Sequence, residues 1–482
     1  MSNRQAASLI DAFECALGEI QTRVCVSGER ANVRDVSHSS DEAKIAGVPA
    51  IAIAYSGGLD SSVLLALMQR YAARRAIRLF AFHIHHGISP NADLWLAHCQ
   101  RECERLGIAF EARRIAITGR EQSGLEEAAR ISRYAALGEL CRVHNVPLLL
   151  TAHHQDDQAE TVLLQLLRGS GVAGLAGMEE VNAAPDLLGS ADLLMARPLL
   201  AASRAELESY AASEGVAYVE DESNADTRYA RNALRHRVMP ALAEFFPGFP
   251  GRIARAAQHA QSAQRLLNEL AAQDLDRCVH GECLDIPRLR QLSEDRIDNV
   301  LRHWFALRDV RMPATSWLAE LRLQLFGARA DAQLCVTHMD CHVRRHRDRI
   351  FLVPRRDDDA RQALPATFRW NGEACIAFAE FHGHLCFEEA DEGIDPNWLR
   401  QQNLMLRHRS GGERLKPALN RSTRSLKQHY QALDIPSWQR EQLPLLTAGG
   451  DLLFAAGIGM DCLHFSMAPG PKIRFHWQSD KV

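Results

Sequence analysis

A glycine-rich turn between an apolar strand and an apolar helix constrains the fold of this chain more than any other segment. The apolar run Val48 to Tyr55 predicts a buried strand, residues 56–62 read Ser-Gly-Gly-Leu-Asp-Ser-Ser, and Ser61 to Ala73 has helical apolar spacing. Glycines let a backbone turn tightly and approach a ligand without a Cβ in the way. A helix N-terminus points free N–H groups and the positive end of its dipole at an anion. The segment therefore predicts a phosphate-binding loop.

Several residue types in this loop suit phosphate binding. Its serine hydroxyls can donate, and Asp60 can either cap the helix or hold a magnesium ion that bridges phosphates. No lysine follows the glycines, so the loop is not of the GxxxxGK(S/T) kind. The alternative interpretation is a tight turn that Ser and Asp cap. The candidate nucleotide-binding residues are Ser56, Gly57, Gly58, Leu59, Asp60, Ser61 and Ser62.

Strands and helices alternate between residues 49 and 167. Near-continuous apolar strands separated by helices are typical of a parallel sheet covered on both faces. Such sheets bind ligands beyond the carboxyl ends of their strands. The predicted fold class is α/β: a parallel, doubly wound sheet domain, then a helical domain and a small α+β C-terminal domain.

Changes of pattern along the chain predict its segments. Residues 169–200 contain Gly and Pro and are expected to be loop, and helical patterns recur from about 242 to 330. The predicted segments are an N-terminal extension 1–48, a sheet domain 49–241, a helical middle domain 242–355 and a C-terminal domain 360–482.

Composition narrows the class of protein. The net charge is −4, so a nucleic-acid-binding surface would have to concentrate its positive charge locally. No apolar run approaches the roughly 20 residues that cross a bilayer. The N-terminus also lacks the basic start and apolar stretch of a secretory signal. We therefore expect no membrane partner and a cytoplasmic location.

The 12 cysteines are expected to be reduced thiols, because a cytosolic compartment keeps thiols reduced. Cys99 and Cys103 form CxxxC, Cys278 and Cys283 form CxxxxC, and no CxxC occurs. A structural zinc site usually needs two close pairs of ligands. The spacing therefore favours buried free thiols over a zinc site.

Polar residues also follow two other predicted strands. Asp157 and Glu160, in segment 151–161, are three apart at the start of a helix, so both carboxylates could grip an ammonium group or a cation. The alternative is acidic charge that complements the helix dipole, an interpretation that suits Asp156. His83 begins a strand-end cluster of histidines, for which a metal site and a ligand-contacting loop are the two interpretations.

Arginines recur at helical spacing in two segments. Arg130 and Arg133 share one face of the predicted helix, where they are either phosphate ligands or part of a solvated face with Glu–Arg pairs. Arg228, Arg231 and Arg235 form a basic stripe, which by itself is most often a solvated face.

A basic segment lies near the C-terminus. It contains seven Lys or Arg residues against one acid, Glu413. That density, in a chain that is net acidic, is what binding to a phosphate backbone requires. Its basic residues are Arg407, Arg409, Arg414, Lys416, Arg421, Arg424 and Lys427.

The loop, in this context, resembles the signature of the PP-loop ATP pyrophosphatases, whose sheet domain is adenine nucleotide alpha hydrolase-like. These enzymes cleave ATP between the α- and β-phosphates, transfer AMP to a carbonyl oxygen, and let a nucleophile displace it. Among them, the chain is most similar to the tRNA(Ile)-lysidine synthetase family. The segments that carry this similarity are 83–88, 125–134, 151–161, 221–237 and 406–445. One departure is Asn420-Arg421, where the family often has Gly-Arg.

The resemblance implies a role for each candidate residue. His83 would join the loop in contacting ATP, and Asp60 would hold Mg²⁺. The implied catalytic residues are Asp60, Arg133, Asp157 and Arg231. The implied lysine-binding residues are His153, Asp157 and Glu160, and His153 is also a candidate general base. The implied tRNA-binding residues are Arg228, Arg235, Arg407, Arg409, Arg414, Lys416, Arg421 and Lys427.

The implied activity is ligation of free L-lysine to C2 of the wobble cytidine of tRNA(Ile) with a CAU anticodon. ATP would be converted to AMP and pyrophosphate through an O2-adenylated cytidine, and the product would read AUA instead of AUG. ATP and Mg²⁺ are thus the expected small ligands besides lysine. A homodimer is a further expectation, since the family is often dimeric.

Three other interpretations remain open at this point. A PP-loop tRNA thiolase that acts on a wobble or anticodon-loop pyrimidine would share the loop but need reactive cysteines or an iron–sulfur cluster. An amidotransferase-type synthetase would need a glutaminase domain, which the sequence does not show. A non-catalytic tRNA-binding protein would not need the intact Ser56, Asp60, Asp157 and Glu160.

Overall fold

The computed structural model describes residues 2–31, 49–87, 89–116, 125–220, 228, 230–329, 334–355 and 364–480. The chain divides into two compact units, Met1–Glu269 and Leu270–Val482. The finer segment boundaries expected from the sequence stay predictions. Of the motifs discussed above, Ile88, residues 221–227 and Tyr229 lie outside the described residues.

The first unit contains six strands among helices. The strands are β1 Ala50–Ala54, β2 Arg78–His85, β3 Ala109–Arg114, β4 Leu148–Leu150, β5 Val181–Ala183 and β6 Leu194–Ala196. The helices are α1 Ser2–Ala31, α2 Leu59–Ala72, α3 Ala92–Leu106, α4 Leu125–Val143, α5 Gln155–Leu167, α6 Val172–Leu175, α7 Pro185–Leu188, α8 Arg204–Glu214, α9 Ala230–Ala233 and α10 Met239–Phe245, with a π-helical turn Leu234–Val238 between α9 and α10. Helix α11, Phe249–Cys278, follows them.

The six strands form one sheet in the order β3-β2-β1-β4-β6-β5. The strands β3, β2, β1, β4 and β6 run parallel, and only β5 pairs antiparallel, at one edge. The predicted parallel α/β sheet is confirmed. The expectation of loop throughout 169–200 was wrong, because β5 and β6 are three-residue strands that extend the sheet there.

Both faces of the sheet are buried, as the apolar strands predicted. Ile51 and Ile53 of β1 belong to a core on one face, which Phe13 of α1 also joins. Ala52 belongs to the core on the other face, where Tyr134 of α4 packs. The N-terminal helix, for which no role was predicted from the sequence, therefore covers part of the sheet.

The second unit contains a small helical group and several antiparallel sheets. Its helices are α12 Ile286–Leu289, α13 Glu294–Ala306, α14 Thr315–Gly327, α15 Pro396–Gln401, α16 Leu426–Ala432 and α17 Ser437–Gln442. Its strands are β7 Val279–His280, β8 Cys283–Asp285, β9 Cys335–Thr337, β10 Cys341–His346, β11 Arg349–Pro354, β12 Ala366–Phe368, β13 Cys375–Phe378, β14 Gly383–Ala390, β15 Leu404–Arg407, β16 Arg414–Leu415, β17 Arg424–Ser425, β18 Leu445–Ala448, β19 Asp451–Ala455, β20 Gly459–Met460 and β21 Lys472–Ser479.

The middle segment, 242–355, was predicted to be helical, but it also contains a sheet. This sheet has the order β7-β8-β11-β10-β9 and packs with the helices around Trp304 and Phe305. The C-terminal part has the predicted mixed character, with a five-stranded sheet β12-β15-β18-β19-β20 and a three-stranded sheet β13-β14-β21.

The expectation that every cysteine is a free thiol was wrong. Cys375 and Cys386 face each other on the paired strands β13 and β14 and form a disulfide. This pair could not be predicted from the sequence, because the proximity of the two cysteines depends on the register of β13 and β14. The other cysteines whose side chains the structure describes are free.

Candidate active site

Two loops converge at the point where the order of strands in the sheet reverses. The glycine loop follows β1, and the segment 151–154 follows β4, which is the neighbouring parallel strand. The chain order of strands reverses between β1 and β4, and ligands of open α/β sheets bind at such a reversal, beyond the carboxyl ends of the strands. The topology therefore places both predicted motifs in one crevice.

The glycine loop depends on one left-handed residue. Gly57 has φ +86°, and a Cβ added there would lie 2.7 Å from Sγ of Cys99. A side chain at this position would be strained both in its backbone and by the thiol beneath it. A glycine at position 57 is thus required by the packing of the turn.

Hydroxyl groups hold the loop in its turn. The Ser61 hydroxyl donates to the Gly58 carbonyl at 3.0 Å, and the Ser62 hydroxyl donates to the Gly57 carbonyl at 3.2 Å. Ser56 is exposed, and its hydroxyl lies 3.0 Å from that of Ser61. Helix α2 begins after Gly58 without a side-chain cap. Its first N–H groups are therefore left for a ligand.

Asp60 does not cap α2 but pairs with an arginine from another part of the chain. Its two carboxylate oxygens lie 3.4 and 3.3 Å from Nη1 of Arg204, at the start of α8. The backbone N–H of Arg204 donates to Asp156 at 2.9 Å. Sequence reasoning missed Arg204, because its only local signal was its position at a helix N-terminus.

Two arginines enclose the carboxylates of Asp157 and Glu160. Nε of Arg235 donates to Oε1 of Glu160 at 2.6 Å, and its Nη2 donates to Asp157 Oδ1 at 2.9 Å. Nε of Arg231 donates to the other Glu160 oxygen at 3.0 Å. The Glu160 side chain is 1% exposed. The helix-dipole interpretation alone does not explain a carboxylate buried this far from solvent.

His154 lies between the two loops and was also missed. Its Nε2 is 3.3 Å from Asp157 Oδ2 and 3.7 Å from Asp60 Oδ2, and its Nδ1 is 3.7 Å from Asp156 Oδ2. The side chain is 1% exposed. Burial lowers the pKa of His154, but the surrounding carboxylates outweigh that effect and raise it. The His154 ring thus lies between the glycine loop and the acidic pair.

His153 has the opposite electrostatic setting. Burial lowers its pKa to about 3; Asp157 opposes this, and three arginines add to the lowering. Those arginines are Arg197, Arg231 and Arg133. Nδ1 of His153 lies 2.9 Å from the Thr151 hydroxyl. The ring is therefore neutral at neutral pH and stands among positive charges.

Arg130 and Arg133 flank one aromatic ring. Their guanidinium carbons lie 5.4 and 5.1 Å from the centre of the Tyr134 ring on the same helix. This contact orients both side chains without neutralising them. Arg133 also contributes to the lowered pKa of His153.

His83 is buried and supports the glycine loop. Its Nδ1 lies 3.0 Å from the carbonyl of Tyr55, the residue before the loop. Burial lowers the pKa of this imidazole. Among the described residues, no group of three or more His, Cys, Asp or Glu side chains is placed to hold a metal ion. Of the histidine cluster, His83 supports the residue before the loop, whereas His85 lies 3.2 Å from Asp93.

The cysteines near the loop are unreactive thiols. Burial raises the pKa of Cys99 and of Cys103 to about 12. A thiol becomes a nucleophile or metal ligand as its thiolate. Neither residue therefore has the character that sulfur transfer would require.

The C-terminal basic segment forms a separate candidate surface in the second unit. Arg414, Arg421 and Lys427 are exposed, and Arg409 and Lys416 are half-buried. Arg407 differs from them, because its Nη1 donates to Glu413 Oε1 at 2.9 Å. Arg228, in the first unit, is exposed.

Glu413 organises the turn that carries these basic residues. It accepts hydrogen bonds from the backbone N–H groups of Ser410 at 2.8 Å and Gly411 at 3.0 Å. Burial opposes ionisation, but these bonds and Arg407 lower the pKa of Glu413 to about 2. The one acid in the basic segment is thus structural.

The glycine loop lies where the strand order of a parallel α/β sheet reverses, and an uncapped helix follows it. These features define a nucleotide-binding protein of the PP-loop class. Family models agree with this class and with both later segments. A PP-loop domain matches residues 32–242, a TilS substrate binding domain matches 284–351, and a TilS substrate C-terminal domain matches 404–477.

Two relatives extend the match over most of the chain. It is 42% identical to the tRNA(Ile)-lysidine synthase of Ralstonia nicotianae over 433 residues, which cover 88% of this chain and 92% of the relative. It is 41% identical to that of Burkholderia pseudomallei over 467 residues, which cover 90% and 94%. The chain belongs to the tRNA(Ile)-lysidine synthase family.

A solved U34-tRNA thiolase from Methanococcus maripaludis also aligns with part of the chain. The identity is 17% and the TM-score 0.38, over 51% of this chain and 80% of the thiolase. That likeness is too distant to support the thiolase alternative. Among the described residues, no helix is long and apolar enough to cross a membrane.

Proposed function

We propose that this enzyme ligates L-lysine to C2 of the wobble cytidine in a tRNA(Ile) with a CAU anticodon, and converts ATP to AMP and pyrophosphate. The cytidine O2 attacks the α-phosphate of ATP, and pyrophosphate leaves. The ε-amine of lysine, after losing a proton, then attacks C2, and AMP leaves with the O2 oxygen. The product reads AUA codons.

The observation that carries this proposal is the position of an acidic pair beside a phosphate-binding loop. Nε2 of His154 lies 3.3 Å from Asp157 Oδ2 and 3.7 Å from Asp60 Oδ2. The first step needs a nucleotide and the second needs an amine, and these two groups would supply one site for each.

The nucleotide would lie on the glycine loop. The uncapped first turn of α2 and the exposed Ser56 hydroxyl would donate to the phosphates. Asp60 is the residue that would hold Mg²⁺, since this ion binds through one or two carboxylates together with phosphate oxygens. Bound Mg²⁺ would offset the negative charge of the phosphates. Arg204, which pairs with Asp60, would then be free to face the phosphates.

Lysine would bind to Asp157 and Glu160 through its ammonium group. The neighbouring His154, His153, Arg231 and Arg235 lower the pKa of Asp157, although burial alone would raise it. Asp157 is therefore a carboxylate at neutral pH and can pair with an ammonium ion. His153, whose pKa burial lowers to about 3, is neutral at neutral pH and can accept a hydrogen bond from the ammonium group.

Arginines would stabilise the charge that moves during both steps. Arg231 donates to Glu160 Oε2 at 3.0 Å, and Arg133 of α4 contributes to the lowered pKa of His153, which supports a role for both residues. A guanidinium matches the geometry of a phosphate oxygen pair. We assign these two residues to the α-phosphate and to the departing AMP. The exposed basic residues of the C-terminal segment would hold the tRNA backbone.

Transfer of labelled lysine into acid-precipitable tRNA tests the proposal. The assay uses a CAU-anticodon isoleucine tRNA transcript with ATP, beside a methionine tRNA and a reaction without ATP. Label on the isoleucine tRNA alone is the expected result. Lysine-independent transfer of sulfur to the tRNA would contradict the proposal and favour the thiolase alternative.

A further inference from the structure

We propose that Arg235 competes with the substrate ammonium group for Asp157 and Glu160, so that lysine binds well only after phosphate has drawn Arg235 away. The inference rests on the proposed function, because it takes the acidic pair as the lysine site. It adds an order to the reaction: nucleotide first, lysine second. Arg235, expected from the sequence to contact tRNA, becomes the residue that sets this order.

Every oxygen of the acidic pair already has a donor. Arg235 donates to Glu160 Oε1 at 2.6 Å, to Glu160 Oε2 at 2.9 Å and to Asp157 Oδ1 at 2.9 Å. The remaining Asp157 oxygen accepts from the backbone N–H of His154 at 3.2 Å. An ammonium group needs the same oxygens. It can bind fully only by displacing the guanidinium.

Arg235 can leave this site at lower cost than the carboxylates can. Its side chain is 29% exposed, whereas that of Glu160 is 1% exposed. A withdrawn guanidinium would reach water, whereas the buried Glu160 must keep a cationic partner. Arg231 still donates to Glu160 Oε2 at 3.0 Å when Arg235 leaves, so the withdrawal opens Glu160 Oε1 and Asp157 Oδ1 to the substrate ammonium group.

The backbone around Arg235 suits a local shift. The residue lies in the π-helical turn Leu234–Val238, between α9 and α10. Such turns are rare, and they occur mostly as single-turn insertions at functional sites. A change from π- to α-helical pairing would rotate the side chain relative to α5, where Asp157 and Glu160 lie.

Phosphate at the glycine loop is the group that would attract Arg235. Arg235 donates to Asp157 at 2.9 Å. His154 lies 3.3 Å from Asp157 and 3.7 Å from Asp60, so a single side chain connects the partner of Arg235 to the glycine loop. A phosphate binds a guanidinium through two parallel hydrogen bonds. Because ATP brings several negative charges to the loop, it would compete with the carboxylates for Arg235.

Equilibrium dialysis of labelled L-lysine against the full chain tests this order. The free protein is compared with protein that holds Mg²⁺ and α,β-methylene-ATP, which cannot transfer AMP. We expect the nucleotide to tighten lysine binding about tenfold or more. Without nucleotide, only the small fraction of protein in which Arg235 has left the acidic pair can bind lysine, and this lowers the apparent affinity. Arg235→Gln should bind lysine about tenfold more tightly than wild type without nucleotide. It should also lose most of the response to nucleotide.

Arg252→Gln is the matched control, because Arg252 is an exposed arginine that donates to the Pro247 carbonyl and, among the described residues, not to the acidic pair. It should bind lysine as wild type does. If Arg235→Gln fails to fold, Arg235→Lys should show a smaller tightening, since one ammonium group reaches fewer oxygens than a guanidinium.

Two results would overturn the inference. These are an Arg235 variant that binds lysine no more tightly than wild type, and a wild-type lysine affinity that nucleotide leaves unchanged. Lysine transfer to tRNA by the wild-type enzyme, measured in parallel, separates these failures from failure of the proposed function. If transfer itself is absent, both the function and the inference are contradicted.

Discussion

Nε2 of His154 lies 3.7 Å from Oδ2 of Asp60, so the loop that follows β4 contacts the glycine loop that follows β1. The two residues are far apart in sequence but follow neighbouring parallel strands. This contact joins the two candidate half-sites. A substitution in either loop should therefore affect the other loop as well. Pyrophosphate release reports on the first half-site, and lysine transfer reports on the second.

Glu160→Gln should abolish lysine transfer while tRNA-dependent release of pyrophosphate continues. The acid binds the amine in the second step only, whereas the first step uses the phosphate loop. The variant also leaves two arginines around a neutral, buried group, and breaking a buried ion pair costs about 3–5 kcal/mol. Chemical denaturation and the two activity assays measure these effects.

Glu208→Gln is the control for this variant, because Glu208 forms an exposed pair with Arg204 at 3.0 Å. Exposed pairs contribute less than about 1 kcal/mol, so stability and transfer should hardly change. Equal loss of pyrophosphate release and lysine transfer in Glu160→Gln would contradict the assignment of the acid to the second step.

Gly57→Ala should lose nucleotide binding and stability. The residue has φ +86°, and the new methyl group would lie 2.7 Å from Cys99 Sγ. The backbone strain alone costs about 1–3 kcal/mol. Adding Cys99→Ala should restore part of the stability, because it removes the clash but not the strain. Calorimetric titration with ATP and thermal melting check both effects.

Gly58→Ala provides the comparison for the loop. Gly58 has φ −73°, and its nearest neighbour to an added Cβ is Ser56 Oγ at 3.6 Å. That variant should fold with nearly wild-type stability. If both glycine variants are equally unstable, the account of Gly57 is incorrect.

Cys99→Ala and Cys103→Ala should each keep lysine transfer. Their pKa values, raised to about 12 by burial, leave both thiols protonated at neutral pH. The thiols pack under the loop, so a modest loss of thermal stability is expected without loss of turnover at low temperature. Loss of transfer in a folded variant would revive a thiolase-like mechanism.

His153→Gln should reduce the acid sensitivity of the fold. The pKa of His153 is about 3 in the folded chain, against an ordinary value of 6.5. Between these values the unfolded chain binds a proton that the folded chain does not, so stability falls as pH falls through that window. As the pH is lowered from about 7 to about 4, the melting temperature should fall less in the variant than in the wild type. An identical slope in both proteins would contradict the assigned pKa.

Glu413→Gln should weaken tRNA binding without affecting ATP binding. The carboxylate holds the turn at Ser410 and Gly411 and pairs with Arg407. Its pKa of about 2 means that this stabilisation is present above the ordinary value of 4.5 and is lost as pH falls towards about 2. Filter binding of tRNA over a salt series measures the loss.

Glu441→Gln is the charge-matched control for that variant, since Glu441 is exposed and lies beyond the basic segment. Both substitutions raise the net charge equally. Tighter tRNA binding by both would show that bulk charge, and not the turn, governs the interaction.

The sequence predicted those parts of the fold that depend on local periodicity. The strand, loop and helix around Gly57 and the helix Arg204–Glu214 agree with their patterns, because apolar spacing and glycine geometry are short-range signals. The three-residue strands β5 and β6 were missed because so short an apolar run does not differ from loop.

The partners of the charged residues could not be predicted in the same way. Asp60 was expected to be a helix cap or a metal ligand, but Arg204, 144 residues away, pairs with it. Arg235 was assigned to tRNA, yet it contacts Glu160 across 75 residues of sequence. Such pairs depend on which strands are neighbours, and a single sequence carries no local signal for that.

Simultaneous measurement of pyrophosphate release and lysine incorporation tests the central claim most directly. The assay supplies labelled lysine and γ-labelled ATP with CAU-anticodon isoleucine tRNA. Our account predicts that, with lysine present, the wild-type enzyme forms both products in equal amounts and only with this tRNA. Pyrophosphate released in step with tRNA but without any lysine incorporated would contradict it, because the acidic pair would then serve another nucleophile.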